Sequence, residues 1–222
     1  MKILIINAHP EPQSFCSSLF HSAVTTLEVA GHRIQTSDLY KMGFDPISDR
    51  RNYTTIENPA YLKPQIEEMH ASEVGGFTSD LEAEMCKVEW CDLMIWQFPL
   101  WWFTVPAILK GWFDRVFAMG RFYGYGHIYE TGILKGKKAM LSVTTGGPWD
   151  SYQPDGFNGD INGILRPIHR GMLEFVGFEV FLPQIFYAPA HKSQEERTAE
   201  LQAYCNRLKE IGSELPFTVG RY

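Results

Sequence analysis

The sequence predicts an α/β fold in which one five-stranded parallel sheet carries helices on both faces. Short continuous apolar runs, such as residues 3–8 and 139–144, are typical of strands buried on both faces of a parallel sheet. Segments with helical spacing separate these runs, so consecutive strands form βαβ units with right-handed crossovers. The 222 residues, 45% of them hydrophobic, fit a single domain over residues 1–222.

Five strands and five helices follow from this pattern in chain order. The first and last helices begin at Ser14 and Ser193, whose hydroxyls can accept N-cap hydrogen bonds. Pro167 is expected to kink the fourth helix, and Pro183 to interrupt the fifth strand. The predicted strands are residues 3–8, 33–39, 92–95, 139–144 and 179–187, and the predicted helices are residues 14–31, 79–91, 107–117, 161–176 and 193–211.

Residues 41–78 interrupt the alternation of strands and helices with mixed polar sequence, prolines and a Gly-Gly pair. A short helix is predicted near residues 59–71. Because a connection of this length usually has a function, we expect residues 41–78 to form a lid or to contact a second copy of the chain. A plain ordered excursion is the alternative.

Composition argues against several classes of protein. The formal net charge of −6 argues against nucleic acid as a partner, and no apolar run approaches the ~18 residues of a membrane-spanning helix. The four cysteines form no C-x-x-C pair and the chain enters its first strand directly after Met1-Lys2, so we expect a soluble, cytoplasmic protein with reduced thiols. The seven histidines lack metal-binding spacing, and no metal site is expected.

An aromatic turn follows the third strand. Residues 96–106 carry Trp101, Trp102 and Phe103 between two prolines, which stiffen the turn. Large rings on a surface loop at the carboxyl end of a strand are typical of a platform for a flat ligand. A purely structural role for these rings is the alternative.

Two further loops end at the same sheet edge, because the carboxyl ends of parallel strands lie together. Residues 14–18 offer hydroxyl groups and the N-terminus of a helix, where an anion binds well, although an ordinary capped helix has the same composition. Residues 144–147 end in Gly146-Gly147, which lets the backbone approach a ligand. No G-x-G-x-x-G motif is present, so a dinucleotide held in the Rossmann manner is disfavoured. A flat, apolar and partly anionic ligand such as a flavin fits these three loops.

Residues 98–113 read Phe-Pro-Leu-Trp-Trp-Phe-Thr-Val-Pro-Ala-Ile-Leu-Lys-Gly-Trp-Phe, and residues 144–147 read Thr-Thr-Gly-Gly. With these motifs the chain resembles the NAD(P)H:quinone oxidoreductases, the DT-diaphorase-like enzymes, from residue 3 to about residue 197. The resemblance implies a flavodoxin-like sheet of order 2-1-3-4-5, bound FAD with FMN as the less favoured alternative, and NAD(P)H as co-substrate. It also implies a homodimer whose active sites lie at the interface.

The resemblance assigns roles to individual residues of this chain. Aromatic residues on the loop of residues 121–129 and on the fourth helix would wall the substrate pocket of the neighbouring subunit. The implied cofactor-binding residues are His9, Ser14, Phe15, Cys16, Ser18, Pro99, Leu100, Trp101, Trp102, Phe103, Thr144, Thr145, Gly146, Gly147, Tyr152 and Arg197. The implied substrate-binding residues are Trp102, Phe103, Tyr123, Tyr125, Asn158 and Phe175.

The implied catalytic residues are Tyr152, Asn158, Gly146 and Gly147, and Asn158 stands where the family has a histidine. Asparagine donates a hydrogen bond but neither takes up nor releases a proton at neutral pH, so Asn158 is expected to position Tyr152 or the substrate. The chain also lacks the carboxyl-terminal extension of the longest family members. Cys16 replaces a larger amide of the family, which weakens the preference for FAD over FMN.

The expected function is therefore two-electron reduction of quinones, and also of azo or nitro compounds, by NAD(P)H through a ping-pong hydride transfer. An FMN-dependent azoreductase or nitroreductase is one alternative. A regulatory subunit docked on a potassium-efflux membrane protein is another, because some proteins of this family have that role, although no feature of the sequence indicates a membrane partner.

Overall fold

The computed structural model describes residues 1–220 and contains a six-stranded parallel sheet with helices on both faces. The strand order is β2-β1-β3-β4, and β5 and β6 both pair with β4. The strands are β1 (Lys2–Asn7), β2 (Arg33–Asp38), β3 (Leu93–Pro99), β4 (Lys138–Thr145), β5 (Glu179–Val180) and β6 (Gln184–Tyr187). The helices are α1 (Phe15–Val29), α2 (Pro64–Val74), α3 (Ser79–Trp90), α4 (Ala107–Val116), α5 (Ile161–Ile168) and α6 (Gln194–Lys209).

The predicted fold and strand order are confirmed, with one refinement at the fifth strand. Residues 181–183 separate β5 from β6, and both segments lie beside β4. Proline has no N–H to donate to a neighbouring strand, so the ladder is interrupted near Pro183 and resumes at Gln184. The two short segments together occupy the position of the predicted fifth strand.

The two faces of the sheet are covered by different helices. Successive side chains of a strand point to opposite faces, so Leu4 and Ile6 join one buried cluster while Ile3 and Ile5 join the other. The first cluster includes side chains of α3, α4 and α5, and the second includes side chains of α1 and α6. The central strands are therefore buried on both faces, as their apolar sequences predict.

Two predicted boundaries differ from the structure. Strand β3 continues to Pro99 because it pairs with β4 as far as Thr144, so the aromatic turn begins at Leu100. The predicted helix over residues 161–176 is α-helical only to Ile168, and a π-helical turn (His169–Leu173) and a 3₁₀ turn follow it. The change follows Pro167, which removes a backbone donor and crowds the preceding turn.

Residues 41–78 are ordered against α4. Arg115 is buried and donates to the Asn52 side-chain oxygen at 2.8 Å and to the Asp45 carbonyl at 2.6 Å. The predicted short helix is α2, which begins at Pro64, a favoured first helical residue, and ends at Gly75 in the left-handed conformation. No helix of residues 1–220 is both long enough and apolar enough to span a membrane.

Candidate active site

The loop after β1 leads into the N-terminus of α1, where Ser14 is the N-cap. The Ser17 amide donates to the Ser14 hydroxyl at 3.0 Å, and the Ser17 hydroxyl donates to the Glu11 carbonyl at 2.8 Å. These bonds fix the loop. The N–H groups of Phe15 and Cys16 have no acceptor within the helix, so they can bind an anion together with the positive end of the helix dipole.

A cavity of about 530 Å³ extends from the N-terminus of α1 to the first turns of α6. Seven of the residues that line it are cofactor-binding residues predicted from the sequence: His9, Ser14, Phe15, Cys16, Ser18, Thr144 and Arg197. Sequence reasoning missed six others: Gln13, Pro189, Ala190, Gln194, Thr198 and Leu201. The signal that could have found them is topological, because α6 follows β6 at the same carboxyl edge of the sheet.

Arg197 places a cation at the α6 end of this cavity. Its guanidinium donates to the Lys192 carbonyl at 2.8 Å and to the Gln194 side-chain oxygen at 2.9 Å. Both contacts hold the side chain in place at the rim of the cavity. In a chain of net charge −6, this arrangement favours an anionic ligand such as a phosphate.

Two titratable groups of the cavity are shifted toward their neutral forms. Burial raises the pKa of the Cys16 thiol to about 12, although contacts with Gln97 and Thr144 oppose the shift. Burial also lowers the pKa of His9, against the effect of Glu11. The thiol is therefore protonated at neutral pH, and Cys16 acts in this cavity as a small packing group rather than a nucleophile.

The aromatic turn lies at the surface, as predicted. Trp101, Trp102 and Phe103 are 40%, 94% and 50% exposed. Trp101 and Thr104 exchange backbone hydrogen bonds of 3.1 and 3.0 Å, and Trp102 and Phe103 between them have φ of 52° and 59°. Positive φ at two bulky residues costs of order 1–3 kcal/mol each, and such strain is concentrated at ligand-binding sites. The rings are thus held outward by a tight, strained turn.

This aromatic turn is attached to the glycine-rich turn after β4. The Leu100 amide donates to the Thr144 carbonyl at 2.8 Å, beside the paired residues Pro99 and Thr144. The Thr145 hydroxyl donates to the Gly147 carbonyl at 2.8 Å. The third loop is close as well, since the rings of His9 and Trp101 are 6.2 Å apart. The three predicted loops therefore meet at one edge of the sheet.

Tyr152 and Asn158 gather beside Gly147. A Cβ atom on Gly147 would lie 3.1 Å from the Tyr152 ring and 3.2 Å from the Asn158 amide nitrogen, whereas one on Gly146 would meet open space. Tyr152 is buried against Tyr187, with ring centroids 5.9 Å apart. The backbone amide of Asn158 donates to the Ser151 carbonyl at 2.7 Å. Two side-chain hydrogen-bond donors thus stand next to the glycine-rich turn.

Two of the residues predicted to wall the substrate pocket line a different cavity from the cofactor loops. Tyr123 and Phe175 contact each other, with ring centroids 5.7 Å apart, and Tyr125 is exposed nearby on the same loop. Tyr123 and Phe175 line a cavity of about 290 Å³ with Gln65, Phe113, Asp114, Phe117, Gly171 and Val176. No residue of the aromatic turn lines that cavity. Within residues 1–220, the structure therefore separates the two predicted parts of the substrate site.

Comparison with known proteins identifies the family. A family described as having a flavodoxin-like fold matches residues 1–211. The ribosyldihydronicotinamide dehydrogenase [quinone] of Pongo abelii is 44% identical, over 97% of this chain and 94% of that protein. The chain belongs to the NAD(P)H:quinone oxidoreductase family. The family prediction made from residues 98–113 and 144–147 is confirmed.

Two other members of the quinone oxidoreductase family are similarly close. The NAD(P)H dehydrogenase [quinone] 1 of Cavia porcellus is 43% identical, over 97% of this chain and 78% of that protein. A solved structure assigned as a quinone reductase from Klebsiella pneumoniae is 39% identical and superimposes with a TM-score of 0.93, over 97% of this chain and 86% of that one. The resemblance thus covers nearly the whole chain, as well as the motifs.

Proposed function

We propose that this chain binds FAD at the carboxyl edge of its sheet and catalyses the two-electron reduction of quinones by a dihydronicotinamide. The observation that carries the proposal is the meeting of three loops at that edge: the α1 N-terminus, the strained aromatic turn and the Gly146-Gly147 turn. The names of family members more than 40% identical over nearly the whole chain support the same reaction.

The shape of the nucleotide cavity supports FAD over FMN. The cavity continues past the α1 N-terminus to Arg197, Thr198 and Leu201, which are on α6. A flavin mononucleotide ends in a single phosphate, which the α1 N-terminus alone could bind. A second phosphate and an adenine would give Arg197 and the apolar Leu201 side chain their partners. His9, Ser14, Phe15, Cys16 and Ser18 would then lie along the chain that joins the ring to the nucleotide.

A bound flavin supplies the two-electron carrier that no amino-acid side chain can provide. The residues of the chain orient the reactants and stabilise charge. Pro99 to Phe103 and Thr144 to Gly147 would surround the ring system. The Tyr152 hydroxyl would donate a hydrogen bond where negative charge develops on reduction, and Asn158 would position Tyr152 or the substrate without transferring a proton.

We further propose that two copies of the chain complete each reaction pocket. The exposed Trp102 lacks a covering partner within residues 1–220, and the wall of Tyr123, Tyr125 and Phe175 lies outside the cavity of its own cofactor loops. In a symmetric dimer, the wall of one copy can face the aromatic turn of the other. One reactant at a time would then occupy the pocket, first the dihydronicotinamide and then the quinone. The compartment we propose is the cytoplasm.

The co-substrate is tested among three dihydronicotinamides, because the similar proteins include both a ribosyldihydronicotinamide dehydrogenase and an NAD(P)H dehydrogenase. The name of the Pongo abelii enzyme makes dihydronicotinamide riboside a candidate donor, beside NADH and NADPH.

The test begins with the purified protein. The bound chromophore is released and identified by mass, and each of the three donors is added without air while the visible spectrum is recorded. Bleaching of a stoichiometric FAD band, followed by recovery on addition of menadione, is the expected result. A protein that binds neither FAD nor FMN overturns the proposal. A flavoprotein that does not turn over menadione but binds a potassium-efflux membrane protein would favour the regulatory alternative.

A further inference from the structure

Helix α2, within the segment of residues 41–78, holds the loop that carries the substrate wall. Glu68 of α2 is 8% exposed and accepts a hydrogen bond of 2.7 Å from the Met119 amide. Ser72, one helical turn further on, donates to the Met119 carbonyl at 3.2 Å. Both backbone groups of Met119 are therefore fixed by one face of α2, at the start of the loop.

The same helix contacts both tyrosines of this loop. The Tyr123 side chain interacts with Gln65 and with the Glu68 carboxylate. The Tyr125 hydroxyl donates to the Met69 sulfur at 3.3 Å. Gly120 allows this close approach, because a Cβ there would lie 3.3 Å from the Met69 Cα and its own φ is +87°. The orientation of the wall is thus determined by α2 as much as by the loop itself.

Within residues 1–220, Glu68 is a buried carboxylate without a nearby cation. The groups that act on its pKa, besides burial, are the Met119 amide, the Tyr123 hydroxyl and the Asp114 carboxylate. Tyr53, which forms a β-bridge with Phe77, is another titratable neighbour of Glu68. Burial raises the pKa of Tyr53, and the negative charge of Glu68 raises it further. Burial raises the pKa of Glu68 above its ordinary value of 4.5, and the two hydrogen-bond donors oppose that shift.

A buried acid with no cationic partner contributes little to stability, since burial of its charge is costly. Its two donors, in contrast, are a backbone amide at the start of the wall loop and the hydroxyl of a wall residue. The contacts of Glu68 therefore serve to orient the loop more than to stabilise the fold.

We infer that Glu68 is a positioning residue for the quinone-binding wall, because its carboxylate joins the Met119 amide and the Tyr123 hydroxyl across α2. This inference rests on the proposed function. It assigns a role to the segment of residues 41–78: α2 sets the orientation of Tyr123 and Tyr125, and through them the fit of the acceptor. The segment is then part of the specificity machinery of its own chain.

The test compares three variants with the unmodified protein. Glu68→Ala removes both acceptor oxygens, Glu68→Gln keeps an oxygen for the Met119 amide but no charge, and Glu73→Gln makes the same change at an exposed residue of the same helix. Glu68→Ala is expected to raise the KM for menadione ~10-fold, since a hydrogen bond to a charged group is lost. The kcat and the bound flavin should be unchanged, and Glu73→Gln should match the unmodified protein. Glu68→Gln should have an intermediate KM, close to the value that the unmodified protein reaches when Glu68 is protonated.

A pH series provides a readout that a purely structural role would not change. As the pH falls through the raised pKa of Glu68, the added proton competes with its two donors, so the KM for menadione should rise in the unmodified protein and in Glu73→Gln. In Glu68→Gln, the KM should not follow this titration. Folding stability should change in the opposite direction: because the folded-state pKa is raised, the unmodified protein loses stability relative to Glu68→Gln as the pH rises above 4.5.

The outcomes separate this inference from the proposed function. If the unmodified protein binds flavin and reduces menadione, but Glu68→Ala has an unchanged KM, the positioning role is wrong and the proposed function stands. A fall in kcat and flavin content together in Glu68→Ala would also contradict it, since Glu68 would then support the fold as a whole. Absence of turnover in the unmodified protein contradicts the proposed function instead.

Discussion

The two ends of the ligand-binding edge differ in how much of the site one chain provides. At the nucleotide end, α1 and α6 enclose a cavity of about 530 Å³ with hydroxyls, helix N–H groups and a fixed Arg197. At the ring end, Trp102 is 94% exposed and the wall of Tyr123 and Phe175 lies in a different cavity. Within residues 1–220, one end is a cavity lined by two helices, whereas the other presents large apolar side chains to solvent.

Under the proposed function, this difference assigns cofactor binding to one end and catalysis to the other. A single βαβ arrangement suffices to hold a nucleotide, because strand ends and helix N-termini meet there by topology. A pocket that encloses a small reactant needs walls on more than one side, and the exposed aromatic turn supplies only one of them. We therefore expect changes at the nucleotide end to alter cofactor affinity, and changes at the ring end to alter turnover.

The largest effect is expected at Trp102. Trp102→Gly removes the most exposed ring of the platform and relieves a positive φ, so quinone turnover should fall ~10–100-fold while the free energy of unfolding rises by ~1 kcal/mol. Steady-state kinetics and urea unfolding measure the two quantities. The comparison variant is Trp112→Ala. The Trp112 ring is buried and donates to Glu84 at 2.8 Å, so its loss should lower the free energy of unfolding by ~3–5 kcal/mol. Equal destabilisation by both variants would show that the aromatic turn is core.

The next effect tests the nucleotide end. Arg197→Ala should weaken FAD binding ~10-fold, because a charged contact to phosphate is lost, and should leave FMN binding unchanged. Fluorescence titration of the flavin-free protein with each cofactor measures both affinities. Lys209→Ala removes an exposed charge from the other end of α6 and should change neither. An equal loss of FAD and FMN affinity in Arg197→Ala would place the guanidinium near the shared phosphate instead.

A smaller effect is expected at the two glycines of the ring end. Gly147→Ala would bring a methyl group within about 3 Å of Tyr152 and Asn158, so both donors must move, and turnover should fall several-fold. Gly146→Ala meets no neighbouring atom of the chain, so the apo fold should tolerate it. The comparison is made on flavin reduction rates and on thermal unfolding. Unchanged flavin reduction in Gly147→Ala would argue against a role for Tyr152 and Asn158.

The smallest effect is a change in pH dependence at Asn158. Asparagine does not titrate near neutrality, so flavin reduction should show no transition near ~6.5 that is assignable to this residue. Asn158→His should introduce such a transition, because histidine titrates in that range. Stopped-flow reduction of the flavin between pH 5 and 8 checks the prediction. A rate of flavin reduction that does not change with pH in Asn158→His would mean that residue 158 does not contact the flavin or the substrate.

The nucleotide end could be predicted from the sequence largely because its geometry follows from strand order. Residues 14–18 begin the helix that follows β1, and residues 144–147 lie at the end of β4. The parallel sheet places both segments at the same edge, with β3 between the two strands. The cavity residues on α6 were missed, although the same rule places them there, because Gln194 and Thr198 form no recognisable motif. Local sequence predicted the loops and the last helix, and the resemblance assigned Arg197, but neither indicated that Gln194, Thr198 and Leu201 line the same cavity.

The ring end was less predictable, because its determinants are distant in sequence. The sequence identifies Trp102 and Phe103 as exposed aromatic candidates, but nothing in their identity indicates positive φ values, which arise in the tight turn closed by the backbone hydrogen bonds between Trp101 and Thr104. Glu68 was not singled out at all, since one acidic residue in a polar helix is unremarkable until the fold buries it against Met119 and Tyr123. Tertiary contacts, rather than local pattern, determine this part of the site.

The most direct test of a pocket shared by two chains is complementation between two inactive variants. Trp102→Gly damages the platform and Tyr123→Ala damages the wall, and the two proteins are mixed under conditions that allow subunits to exchange. If each pocket combines the platform of one copy with the wall of the other, half of the sites in a mixed dimer are intact, so menadione turnover should recover to about a quarter of the unmodified activity. If turnover stays at the average of the two variants despite confirmed exchange, each pocket belongs to a single chain and the shared-site account is wrong.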